Sequence, residues 1–143
     1  MYRPWHLPLV VAACTAVPVL LVAVACTSVP AGASTGLTAL RIDFRAGTGS
    51  PQRILTLRCA ARATGTVPDP TGACRKLRRL GRAVFRPTPS DTMCSEIFGG
   101  PSTAHVTGLF LGLPLRARFD RSNGCAIARW QRVAFLLPRP AAP

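Results

Sequence analysis

Acidic residues are scarce in this 143-residue chain: five Asp+Glu stand against 18 Lys+Arg, giving a formal charge of +13 and a sequence pI near 11.5. Such a balance predicts attraction to anionic surfaces, whether polymer, membrane or acidic protein, and says nothing about fold. Lysine and glutamate are each nearly missing, with Lys76 and Glu96 the sole examples. Histidine is almost as rare, and His105 is the only one downstream of the N-terminal apolar run. The chain has no Cys-x-x-Cys pair, so a zinc site lacks its usual ligand spacing. No Gly-x-Ser-x-Gly elbow and no paired carboxylates accompany His105, which falls at an outward strand position and reads as a surface residue. An enzyme would have neither nucleophile nor base, and neither a metal nor a cofactor is expected.

Length allows one domain and no more. Residues 1–6 carry Arg3, residues 7–25 are almost wholly apolar, and Ala31-Gly32-Ala33 gives a small-x-small cleavage pattern before Ser34. Residues 1–33 therefore read as a signal peptide, and the protein as secreted and extracellular. Two alternatives are weaker. A membrane anchor is opposed by Pro18 within the apolar run, and lipoprotein processing at Cys26 would want a bulky aliphatic residue where Ala23 stands.

Residues 34–137 then form the expected domain, followed by a disordered tail over 138–143. Four cysteines remain in it, Cys59, Cys74, Cys94 and Cys125, and an even count in a small exported domain reads as two disulfides. Three pairings are open. The sequential one would close two loops, each worth roughly 3 to 4 kcal/mol in the loop-entropy model.

Hydrophobic alternation predicts strands. Leu40, Ile42 and Phe44 alternate with Arg41, Asp43 and Arg45; Leu55, Leu57 and Cys59 alternate with polar neighbours; residues 104–109 and 113–119 repeat the pattern around a Leu111-Gly112 turn. Val133, Phe135 and Leu137 read as a fifth strand, residues 60–67 show no period, and residues 126–131 read as a helical turn. Asp69-Pro70 opens one clear helix, with Ala73, Leu77 and Leu80 on one face and Gly81 as its stop. The fold class is thus α+β: a five-stranded antiparallel sheet with helix packed on one face.

Arg75, Lys76, Arg78, Arg79 and Arg82 crowd the rest of that helix. A solvated face accounts for them; a contact for an anionic polymer is the sharper reading, though no interleaved aromatics offer a base-stacking platform. A basic secreted binding module for an anionic polymer or cell surface is accordingly the alternative function.

The most informative stretch is 91–101, Asp-Thr-Met-Cys-Ser-Glu-Ile-Phe-Gly-Gly-Pro. Its glycines and proline end regular structure, and a disulfide at Cys94 would stiffen what lies beside it. A segment held extended can enter a protease cleft as an added strand at little entropic cost.

Residues 37–137 resemble the Streptomyces subtilisin inhibitor family of secreted serine-protease inhibitors. The carriers are Leu55-Thr56-Leu57-Arg58-Cys59, Gly65-Thr66-Val67-Pro68, Ala73-Cys74-Arg75-Lys76-Leu77, Met93-Cys94, Ser122-Asn123-Gly124-Cys125 and Val133-Ala134-Phe135. The resemblance implies a second helix, sequential disulfides (Cys59 with Cys74, Cys94 with Cys125) and a homodimer through the sheets. It also implies a reactive bond at Glu96-Ile97, within a protease-contacting loop of Met93, Cys94, Ser95, Glu96, Ile97 and Phe98. Where the family commonly has a Tyr-Asp-Pro-like run, this chain has Phe98-Gly99-Gly100-Pro101, and the two glycines are expected to loosen the loop. Glu96 in the enzyme's primary pocket points to a subtilisin-like protease, or to one selecting acidic residues.

Overall fold

The structure is a computed structural model that describes residues 36–139. The leader expected over residues 1–33, with the Cys26 alternative, and residues 140–143 of the expected tail lie outside the described residues. Among the described residues no helix is long and apolar enough to cross a membrane.

Alternation does what it predicts along four strands, β1 (Thr38–Arg45), β2 (Arg53–Cys59), β4 (Thr103–Phe110) and β5 (Leu113–Phe119), with a short β3 (Ala63–Gly65) at one edge. All neighbours are antiparallel, in the order β3-β2-β1-β4-β5. Leu40, Ile42 and Phe44 of the central strand all turn to the buried face, and the register keeps them beside Leu55 and Leu57 of β2 and Ala104 and Val106 of β4. A one-residue slip would send that whole set to solvent, so the register is strongly specified. Leu111 and Gly112 make the β4–β5 turn with φ of 53° and 77°. Positive φ at both central positions is the hairpin geometry whose twist matches the strands.

The first helix, α1 (Pro70–Leu80), starts and stops as its sequence dictates. Asp69 accepts a hydrogen bond from the Gly72 N–H at 2.9 Å, Pro70 needs no amide partner, and Gly81 at φ 61° ends the helix. Its buried Ala73, Cys74 and Leu77 pack on the sheet, and the Cys59–Cys74 disulfide ties it to the end of β2. A short 3-10 turn over Gly81–Phe85 follows, contributing Val84 and Phe85 to the core, with Phe85 edge-on to Phe110.

Two local expectations need correction. The last element is not a strand: α2 (Gly124–Val133) runs into a 3-10 turn over Ala134–Leu136. The buried residues there are Trp130, Val133, Leu136 and Leu137, spaced by three and four as on a helix, while Phe135 is only partly buried. The alternation of Val133, Phe135 and Leu137 was coincidental to that helical face. The fifth strand is instead Ala63–Gly65, whose three residues are too few to show a period. The overall class stands: a five-stranded antiparallel sheet, helices packed against it and two disulfides.

Candidate functional site

Between the 3-10 turn and β4 the chain runs from Arg86 to Ser102 without regular structure, and Cys94 lies midway. Each stretch of this loop is held by a different part of the neighbouring framework. At its entry, the Arg86 carbonyl accepts from Arg129 Nε at 3.3 Å and Arg132 Nη2 at 3.1 Å, both on α2. At its exit, the buried Ser102 donates its hydroxyl to the Ala46 carbonyl at 2.7 Å. In the middle, the Cys94–Cys125 disulfide joins the loop to the first turn of α2, with Cα atoms 5.4 Å apart.

Two backbone hydrogen bonds complete the attachment. Gly124 N–H donates to the Ser95 carbonyl, and Gly99 N–H donates to the Arg121 carbonyl, each at 2.8 Å. They bracket Glu96, Ile97 and Phe98, which arch outward between them. Ile97 is 64% exposed and Phe98 67%, while Met93, on the other side of the cysteine, is 98% exposed. Large apolar side chains held in water are unusual enough to mark an interaction site. Among the described residues no backbone hydrogen bond involves Glu96 or Ile97, so their N–H and C=O groups are free for a partner strand.

The platform under the arch is the start of α2. Asn123 caps that helix by accepting from the Ala126 N–H at 2.9 Å, which fixes residues 121–124 as the rail to which the loop is bound. Glycine is required where the loop and rail meet. A Cβ on Gly124 would collide with Ser95 Oγ, and one on Gly99 would stand 2.8 Å from Ile127 Cδ1. The expectation that Gly99 would loosen the loop is therefore corrected: its missing side chain lets the backbone come close enough to bond. Arg121 carries its positive charge beside Gly99 and Gly100, with a buried Nε that has no hydrogen-bond partner among the described residues.

The rail is braced electrostatically as well. Asp120 accepts from the Ser122 hydroxyl at 2.6 Å and the Ser122 N–H at 3.0 Å. These bonds, the hydroxyl first, hold its carboxyl below the usual range, with the Arg129 charge adding to them and partial burial opposing. Arg129 lies over the Phe119 ring at 4.9 Å and bonds the Arg118 carbonyl at 3.1 Å, and burial lowers the pKa of its guanidinium.

Other sequence-predicted groups lie apart from this loop. His105 is exposed on the outer sheet face, where its register partner Asp43 is taken by Arg41 at 2.9 Å and Gln52 at 2.9 Å. Among the described residues no cluster of His, Cys, Asp and Glu could hold a metal. Of the α1 cations, Arg82 donates to the Phe110 and Pro114 carbonyls at 3.2 and 3.1 Å, and Lys76 Nζ lies 4.7 Å over the Phe135 ring. Arg75, Arg78 and Arg79 face solvent. Sequence reasoning missed Arg86, Arg121, Arg129 and Arg132, whose loop contacts run through backbone carbonyls and leave no motif.

Comparison with known proteins places residues 34–123 against the subtilisin inhibitor-like family model. The chain is similar to subtilisin inhibitor-like protein 2 of Streptomyces rochei, 36% identical over 53% of this chain and 67% of the relative. It is similar also to a probable subtilase-type protease inhibitor of Streptomyces avermitilis, 33% identical over 56% of each. A trypsin inhibitor of Streptomyces longisporus is 34% identical over 55% of this chain and 54% of its own length. The match thus spans little more than half of two of these relatives.

Gly124→Ala is expected to push Ser95 away and break its bond to residue 124 while leaving α2 intact. Hydrogen exchange should then accelerate in residues 93–99 by about tenfold or more, the effect of losing roughly 1.4 kcal/mol of local protection; unchanged exchange there would show that the bond does not restrain the arch.

Asp120 gives a pH signature. Because its folded-state pKa is depressed, its stabilisation is complete above the ordinary carboxylate pKa of about 3.9 and is lost as pH falls through that value toward the folded one. Thermal unfolding should show the wild type ahead of Asp120→Asn at pH 6, with the gap closing below about pH 4. A gap that persists into acid would contradict this role.

Proposed function

The chain belongs to the subtilisin inhibitor-like family, and we propose that it inhibits a serine endopeptidase by offering the arch at Glu96-Ile97 as a substrate that is held too firmly to be digested. The coarser part of that reading, protease inhibition, is what the family and the names of the relatives carry. Support for the finer part comes from one observation: the arch is tied on both flanks to the same rail, by the Ser95–Gly124 and Gly99–Arg121 bonds and by the Cys94–Cys125 crosslink, while its own backbone groups stay open.

In the proposed complex, Met93, Cys94 and Ser95 line the approach to the enzyme, Glu96 enters the primary specificity pocket, and Ile97 and Phe98 lie on the leaving-group side. Attack by the target serine would cut the bond after Glu96. Both new ends would stay in place, because the disulfide and the paired bonds to residues 121 and 124 sit outside the cut. Religation then competes with release, and affinity follows from the small entropy left to lose.

Glu96 sets the kind of target. Its carboxylate would cost several kcal/mol if buried unpaired in an apolar pocket, whereas a basic pocket would meet it with a charge-assisted hydrogen bond. The favoured partner is an extracellular serine protease that selects acidic residues, with a subtilisin-like enzyme as the second candidate. Secretion follows from the leader reading of residues 1–33. A homodimer through the sheet is the oligomer that the family resemblance implies; in this chain it would bring the outer-face arginines of two copies together.

Inhibition constants against a glutamate-specific endopeptidase and against subtilisin, for wild type and Glu96→Met, test the assignment. The wild type should inhibit the former below about 10 μM, and Glu96→Met should weaken that by at least tenfold, about 1.4 kcal/mol, while improving inhibition of subtilisin. If neither protein inhibits either enzyme, the arch is not the inhibitory loop.

A further inference from the structure

The helices cover one face of the sheet and leave the other open. Strand alternation gathers Arg41 and Arg45 of β1, Arg58 of β2, and Arg116 and Arg118 of β5 on that outer face, all five exposed. The register confirms that they share it. Arg41 stands beside Thr107, which stands beside Arg116, and Arg118 is reached from Asp43 through His105. Asp43 is the only carboxylate at the outward strand positions, and Arg41 and Gln52 already occupy it.

The uncompensated charge has a definite spacing. Arg116 and Arg118 are two residues apart on one strand, about 7 Å, and Arg41 and Arg116 are separated by two strand spacings, about 10 Å. Separate guanidinium forks can therefore meet successive charged groups of one linear chain laid across the sheet, and the fork geometry suits phosphate oxygens. No Phe, Tyr or Trp occupies an outward strand position, so this face offers no platform on which bases could stack. The basic face of α1 is the poorer site, since Lys76 and Arg82 are engaged in packing.

We propose that the outer sheet face is a docking surface for a linear phosphate polymer without bases, gripped through its charge by Arg58, Arg116 and Arg118 with Arg41 and Arg45 beside them. The arch is carried by α2 on the opposite face, so this inference does not rest on the inhibitor reading.

Long-chain inorganic polyphosphate is the probe, with binding measured across a salt series for the purified protein. Two triple variants remove equal charge: Arg58→Gln/Arg116→Gln/Arg118→Gln on the sheet and Arg75→Gln/Arg78→Gln/Arg79→Gln on α1. The sheet variant should lose about tenfold or more in affinity and flatten the log–log salt slope by about 2 to 3, while the α1 variant stays within about threefold of wild type. Lysine at the same sheet positions should keep most of the binding. Circular dichroism checks that each variant folds, and single variants Arg116→Gln and Arg118→Gln, each expected to lose about threefold, carry the test if the triple does not. Equal losses from both triples would assign binding to net charge alone. Absence of wild-type binding at low salt, or tighter binding of mixed-sequence single-stranded DNA at equal phosphate concentration, would overturn the proposal. So would sedimentation showing that the sheet variant changes the oligomeric state, which would give the face to a second copy.

Discussion

The Cys94–Cys125 crosslink is the constraint on which the arch depends, because it fixes an otherwise irregular loop to the first turn of a helix that is itself anchored in the core. Trp130, Val133, Leu136 and Leu137 bury the far end of that helical segment against the sheet. The near end is capped by Asn123, and its approach is braced by Asp120 on Ser122. A covalent bond to such a helix transmits the rigidity of the core to residues that make almost no core contact of their own.

The crosslink alone would leave the loop free to swing. What stops it is that Ser95 and Gly99 bond to residues 124 and 121 on the same rail, one on each side of the exposed bond. Ordering a residue's backbone costs roughly 1 to 2 kcal/mol, so an arch already ordered by its attachments spares a partner several kcal/mol. Arg129 and Arg132 extend the same logic to the loop's entry by holding the Arg86 carbonyl. The sheet contributes at a distance, since its register sets where β5 ends and hence where the rail begins.

Most of the sheet and α1 were legible in the sequence because their signals are local. Asp69, Pro70 and Gly81 punctuate α1, and strict alternation marks β1, β2, β4 and β5. The segment around α2 was misread for a physical reason. Ser122-Asn123-Gly124 has turn composition, yet Asn123 here caps a helix, and the apolar residues after it satisfy a period of two as well as a helical one. Cys94 and the exposed run after it were visible; the bonds that hold them were not. Those bonds join backbone groups some 20 to 40 residues apart, and only the fold brings them together.

The central claim is that the Glu96-Ile97 bond can be cut without being released. The direct measurement is non-reducing mass spectrometry of the protein during prolonged incubation with a serine protease that it inhibits, begun separately from intact and from nicked material. The account predicts that both approach the same mixture, in which the nicked form is one water heavier, opened only at Glu96-Ile97 and still joined through Cys94–Cys125. Progressive cleavage at several loop sites, with no intact chain re-formed from the nicked one, would contradict it.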